Sequence, residues 1–557
     1  MTFLATLTLI AYNYCTLSYT MAGWGKPAWT EELDRLQSEG YNVALMTAGV
    51  KQVWALTLKD MGYTREQIAD FICDDAAQAW WLMGNMQCVG DGTPEGHYPI
   101  VTDEDLAYDE EMGRWMVREM RKRGIEPIFQ GYVGLLPSLS TSTPLHGSNI
   151  IRTGYYCANQ KSPDVLDPTS PAFKRFSEAW NKNLIKVYDL TPAEYPKYLG
   201  GDLFQESHPP KTMTEEEKVN CAKFVQAYQQ AAFPGVTWVL QSWQGTPDPS
   251  LRKGLDPKHT LIEYLDQTMS YTGARDFEFP WVWAEVMNFG GNTGMYGAFK
   301  RFRALGNVSG GSPNFRGFAL MSEGLETNPI NYAMFLEHRN ISDEELEPWM
   351  ESYRLKRYGY TDDNLKKAYT ICANTCWNPD LDQQGVVESV FCAFPSLNIT
   401  SVSAWGPVTG TPYDPEELMK AADYFDAALE ANPELWENEN FKYDWVDIHQ
   451  QVLADRGRQI VESGALLTKE GRTEFRELLK ACDETLAKSK YFTLDYQLSR
   501  IPREKDKKAY IRMITTWTPS ERGQTILSNY AHRSYSGLMK DYYAKRWNKF
   551  LDLLENP

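Results

Sequence analysis

Between residue 8 and about residue 325, eight apolar runs alternate with helix-forming stretches, and this alternation restricts the fold more than any other feature of the chain. The runs are residues 9–20 (LIAYNYCTLSYT), 41–49, 125–134, 198–206, 236–245, 260–268, 280–291 and 315–324. Several are almost continuously apolar, as parallel strands covered on both faces must be. Eight strands, each followed by helix, close a (β/α)₈ barrel. A doubly wound open sheet satisfies the same periodicity, but the count favours the barrel. The intervening helices carry their own boundary signals. Thr214 and Glu217 have the spacing of a capping box, opening a helix that Pro234-Gly235 closes.

Past about residue 335 the strand signals fade. Asp414-Pro415-Glu416-Glu417 reads as an N-cap, a proline at the first helical position and an acidic first turn. Leu418, Ala421, Phe425, Ala428 and Leu429 then recur at helical spacing. The predicted architecture is therefore α/β: a (β/α)₈ TIM-like barrel over residues 1–337, then an all-α domain over 338–557. The boundary falls within 330–345. A chain of 557 residues is too long for one compact core, which fits two domains.

The formal net charge of -18 argues against nucleic acid or an anionic membrane as a partner. The aromatic content, 18 Trp, 32 Tyr and 23 Phe, is suited to stacking on the apolar faces of sugars, although much of it belongs in any core of this size. The nine cysteines show no disulfide-framework spacing, and Cys372 and Cys376 lack a second ligand pair for zinc. Buried free thiols are the expectation. The start, MTFLATLTLIAYNYC, has no Lys or Arg before Lys26, so a first β-strand fits it better than a signal peptide. No apolar run approaches the roughly 18 residues of a transmembrane helix.

In a (β/α)₈ barrel the chemistry sits at the C-terminal ends of the strands. Glu206 ends the fourth run and Glu323 the eighth. Two acids so placed are what glycoside hydrolysis requires: one protonates the leaving oxygen and the other meets the developing oxocarbenium ion. Glu285, within the seventh run, and Asp202, four residues before Glu206, compete for these roles or else serve as orienting or satisfied buried acids. Glu126 stands at a strand start, the stability end of a barrel, and is discounted. The run NFGGN (288–292) has neither P-loop nor dinucleotide-binding order, so its paired glycines point to close backbone approach. No HExxH and no Gly-x-Ser-x-Gly elbow is present, which removes the usual metalloprotease and serine hydrolase readings.

Seven stretches in order, NYCTLSYTMAGW (13–24), AWWLMGN (79–85), YLGGDLFQESHPP (198–210), WVWAEVMNFGGNTGMYG (281–297), LMSEGLETNP (320–329), TTWTP (515–519) and NYA…YYAKRW (529–547), give the chain its resemblance to a known family. It resembles the α-N-acetylglucosaminidases of glycoside hydrolase family 89, whose members act on heparan sulfate or mucin-type glycans. The resemblance implies Glu206 as general acid/base and Glu323 as nucleophile. It places Asn13, Cys15, Trp80, Trp283, Asn288 and Trp517 around the sugar, with Cys15 a non-nucleophilic thiol and Trp517 bringing the α domain to the pocket. For each tryptophan, packing between elements is the alternative. No metal and no organic cofactor is implied. The implied partner is a glycan ending in α-linked GlcNAc, and the implied location is extracytoplasmic; the sequons at Asn307, Asn340 and Asn398 are too common to establish it. Three departures stand out: family members usually carry a small N-terminal α/β domain whereas this sequence begins almost at the first barrel strand, Met287 replaces the usual His, and Gln205 stands where some relatives have Asn. A sugar-binding relic, or an α-glycosidase for sugars lacking the acetamido group, remains the alternative.

Overall fold

The computed structural model describes residues 7–85, 101–137, 144–145, 147–153, 155–156, 160–204, 209–242, 247–265, 278–295, 297–325, 327–378, 389–399, 411–516 and 530–555. Eight parallel strands close into a barrel: β1 (Thr8–Ala11), β2 (Val43–Leu45), β3 (Glu126–Gln130), β4 (Tyr198–Gly200), β5 (Thr237–Gln241), β6 (Thr260–Leu265), β7 (Trp281–Glu285) and β8 (Phe315–Leu320). Each pairs with its neighbours in the chain, and β8 returns to β1 with Gly317–Leu320 beside Thr8–Ala11. The predicted barrel is the observed one. Its strands are shorter than the apolar runs that announced them. β1 stops at Ala11 because Tyr12 takes a left-handed backbone (φ 74°), after which Asn13 caps the helix Tyr14–Tyr19. One apolar run thus contains a strand, a sharp turn and a helix.

The capping box at Thr214 forms as expected, with Glu217 N donating to its hydroxyl at 3.2 Å and the helix running Glu215–Ala232. Between β3 and β4, where only helix was expected, two antiparallel ribbons occur: Ile150–Ile151 against Val165–Leu166, and Tyr155–Tyr156 against Gln160–Lys161. Strands of two residues are too short to leave a period in the sequence. Beyond the barrel the described elements are helical, from Asp343–Tyr358 through Glu439–Glu462 to Ala544–Glu555. In Pro415–Ala431 the side chains of Leu418, Ala421, Phe425 and Ala428 are buried as their spacing requires, while Leu429 is only partly covered.

The helical half docks on the barrel through ions. Arg503 donates to Asp105 at 2.9 Å, with Lys505 on the same carboxylate, and Arg512 reaches Asp74 at 2.7 Å. The Arg500 guanidinium lies 4.1 Å from the centre of the Trp24 ring. Cysteine usage needs one correction. Cys73 is disulfide-bonded, whereas Cys15, Cys221, Cys372, Cys376, Cys392 and Cys482 are buried thiols outside any disulfide.

Candidate active site

Backbone strain marks one face of the barrel. Six described non-glycine residues have positive φ, and four of them, Tyr12, Phe204, Asn288 and Asn328, follow the C-terminal ends of β1, β4, β7 and β8. Such conformations persist where the surrounding structure enforces them, characteristically at functional sites.

Glu323 stands three residues beyond β8 and is 3 % exposed. Its backbone continues the sheet for one more step, since Glu323 N donates to Met287 O at 2.9 Å. The helix after β1 then fixes the segment from the other side. Asn13 Nδ2 donates to Met321 O (2.8 Å), Thr16 Oγ1 to Ser322 O (2.5 Å) and Thr20 Oγ1 to Glu323 O (2.8 Å). Spacings of three and four put these side chains on one helical face, so three successive carbonyls are clamped by one short helix. The Glu323 carboxylate receives the Gly290 N–H on Oε2, and the Tyr530 hydroxyl donates to the same oxygen at 3.1 Å. Tyr530 comes from the helical half. Its ring lies 5.8 Å from that of Tyr19 and edge-on to Trp80 at 6.4 Å, and Trp80 Nε1 donates to the Tyr19 hydroxyl.

Across the same end of the barrel a second polar group joins β3 to β6. Asp202 Oδ1 accepts the Gln241 N–H at 2.9 Å, the Gln241 side chain bonds Glu263, and the Tyr14 hydroxyl donates to Gln130 Oε1 at 2.5 Å. Burial pushes the Asp202 carboxyl up to about 7 against the lowering effect of the Gln241 N–H. Burial, and then the charge of Asp202, holds Glu263 well above the carboxylate range. These acids favour the protonated form, which suits a proton-sharing brace.

Two family descriptions cover nearly all of the chain. Residues 10–340 match the α-N-acetylglucosaminidase (NAGLU) TIM-barrel domain, and residues 349–557 match the C-terminal domain of the same family. The chain belongs to the α-N-acetylglucosaminidase family. It is similar to the human protein named α-N-acetylglucosaminidase, at 25 % identity over 97 % of this chain and 74 % of that one. It is also similar to a family 89 glycoside hydrolase from Clostridium perfringens. That structure was solved with GlcNAc-α-1,4-galactose, at 25 % identity and a TM-score of 0.87 over 99 % of this chain and 63 % of that one. The same clostridial hydrolase bound to PUGNAc superposes with a TM-score of 0.88 at 25 % identity, over 99 % of this chain and 64 % of that one. This chain therefore spans less than two thirds of the length of the clostridial protein.

The family framework sharpens the fate of each expected residue. Glu206, Gln205 and Trp517 lie outside the described residues. Trp80 is brought to Glu323 through Tyr530. Asn13 is adjacent too, but as a brace: its Oδ1 takes Thr16 N at 2.8 Å while its Nδ2 holds Met321. Asn288 is fully buried in a left-handed turn, with Nδ2 on Asn292 O (3.2 Å) and the Tyr332 hydroxyl 3.4 Å from its Oδ1. Cys15 is buried and outside any disulfide. Trp283 corrects the pocket-wall reading. It has 0 % exposure and packs outward from β7 against Phe302, Phe318 and Phe335, because alternate residues of a barrel strand face the helices. Glu285 is removed as a rival acid, since Arg301 Nη1 holds both its oxygens at 2.7 and 2.8 Å. Glu126 pairs with Arg121 and Lys197, each at 3.0 Å, at the opposite mouth. Thr16, Thr20, Tyr530 and Arg533 escaped the sequence reading. The first two were detectable from their spacing after Asn13; the last two lie within the 529–547 stretch that carries the resemblance, but no role was attached to them.

Proposed function

We infer that this chain is a retaining, exo-acting glycoside hydrolase that releases terminal α-linked N-acetylglucosamine by double displacement. The observation that carries the reading is the Glu323 carboxylate, held at the C-terminal mouth of the barrel by a peptide N–H and a phenol. Stereochemistry supplies the reason for a protein nucleophile. In an α-linked N-acetylglucosaminide the 2-acetamido group is cis to the leaving oxygen and cannot attack the anomeric carbon from behind, so a protein carboxylate must. Glu323 takes that role and forms the glycosyl-enzyme. Glu206 protonates the departing oxygen and then deprotonates water. That chemistry requires two carboxyl groups roughly 5–5.5 Å apart. The clostridial relative's complex with GlcNAc-α-1,4-galactose supports an α-linked GlcNAc terminus as the substrate, on mucin-type or heparan-like glycans. The disulfide at Cys73 supports an oxidising, extracytoplasmic setting.

The test compares nitrophenol release from the α-GlcNAc, β-GlcNAc and α-glucoside derivatives, with NMR of the first sugar anomer formed. Hydrolysis of the α-GlcNAc compound alone, with α-GlcNAc appearing first, is the expected outcome. The β anomer appearing first would sink the double displacement. Cleavage of the α-glucoside at a comparable rate would sink the substrate assignment, and turnover of none of the three points to a sugar-binding relic.

A further inference from the structure

Arg533 is 1 % exposed, an environment in which a guanidinium normally has a carboxylate partner. Two other buried arginines have one: Arg301 has Glu285 and Arg354 has Glu347. Arg533 differs. Its Nη1 donates to the carbonyls of Gly290 (2.6 Å), Ala531 (2.9 Å) and His532 (3.0 Å), and its Nη2 donates to Tyr19 O at 2.7 Å. Among the described residues no carboxylate lies within ion-pair distance of it. Four carbonyls from three segments therefore converge on one buried cation: the turn after β7, the helix after β1 and its own strand of chain.

Gly290 links this arrangement to the chemistry. Its carbonyl takes Arg533 while its N–H points at the Glu323 carboxylate. The turn can sit there because two side chains are missing. A Cβ on Gly290 would lie 2.1 Å from Tyr530 O, and one on Gly291 would lie 2.2 Å from Arg533 Nη2; both residues also have positive φ, 65° and 73°. The segment that Arg533 anchors is the one that delivers the Tyr530 hydroxyl to Glu323.

We propose that Arg533 is a positioning residue for the nucleophile, pinning the Gly290 N–H and the Tyr530 hydroxyl onto Glu323 from the helical half. This rests on the reading of Glu323 as nucleophile. A guanidinium is required because its planar fork of donors reaches carbonyls on separate segments at once, which a single ammonium does not.

The experiment measures kcat and KM on 4-nitrophenyl α-GlcNAc for the full chain carrying Arg533→Gln, Arg533→Lys or Glu323→Gln, with thermal melting to confirm folding. A misaligned carboxylate is expected to lower kcat of Arg533→Gln roughly 10²-fold with KM changed by less than about threefold. Arg533→Lys, keeping the charge without the fork, is expected to recover about tenfold of that loss. A raised KM with unchanged kcat in Arg533→Gln overturns the proposal, because it reports a lost binding contact. If Arg533→Gln does not fold, Arg533→Lys decides, and a wild-type kcat there overturns it. Glu323→Gln separates the two readings. Activity in that variant rejects the nucleophile assignment, whereas its inactivity beside an unimpaired Arg533→Gln rejects only the positioning role.

Discussion

Glu285 ends β7 and Glu323 follows the end of the neighbouring β8, and both are buried, yet they are held by different kinds of partner. At Glu285 both oxygens are occupied by a single arginine that is itself covered by the surrounding helices. At Glu323 a peptide N–H and a phenol both reach Oε2. A carboxylate locked in a bidentate ion pair is a structural tie, with its lone pairs committed. The lesson is that burial and strand-end position do not distinguish the two; the partner does.

The sharpest test of this contrast exchanges each for its amide. Glu323→Gln is expected to reduce kcat by roughly 10⁴-fold or more while leaving the melting temperature within a few degrees of wild type. Glu285→Gln is expected to do the reverse. It leaves Arg301 buried without its counter-charge and lowers unfolding stability by about 3–5 kcal/mol, with kcat of the folded fraction nearly unchanged. Parallel urea titrations and single-substrate kinetics read both. Equal kinetic damage from the two substitutions would break the distinction.

Smaller effects probe how Glu323 is held. Thr16→Val removes the hydroxyl that serves the Ser322 carbonyl while keeping the side chain's shape. It is expected to cost about 1–2 kcal/mol of stability and to lower kcat modestly. A kcat unaffected at full folding would mean that the clamp supports the fold alone. Asp202 gives the smallest effect, visible through pH. Its carboxyl rises on folding from an ordinary 3.8 to about 7. The native state therefore keeps a proton that the unfolded chain has lost, and stability falls as pH rises through that window. Asp202→Asn, which cannot lose the proton, should flatten that slope and gain on the order of 1 kcal/mol at pH 8, discounted because the side chain is partly exposed. Chemical denaturation of both forms at pH 5 and pH 8 measures it; an unchanged slope would remove Asp202 from the brace.

The barrel was legible because parallel strands buried on both faces write themselves as apolar runs, and because Thr214 and Asp414 carry cap chemistry that works over three residues. The strand-end position of Glu323 followed from the same pattern. Periodicity could not say which way Trp283 faces. Inward and outward positions of a fully covered strand are equally apolar, and β7 is buried along its whole length. Nor could it separate Glu285 from Glu323, since Arg301 is sixteen residues away along the chain from the acid it ties. The disulfide at Cys73 had no spacing signature. Tyr530 and Arg533 drew no role, although their stretch carried the resemblance, because they meet Glu323 and Gly290 only through contacts with residues more than two hundred positions earlier.

That last separation bears on how the protein comes to work during synthesis. A ribosome that has released the entire barrel has made the Glu323 carboxylate before its phenol and the Gly290 turn before its arginine. Both contacts come into being only once the segment carrying Tyr530 and Arg533 has been made, so a premature stop ahead of Tyr530 removes the phenol from Glu323 and the guanidinium from Gly290 together.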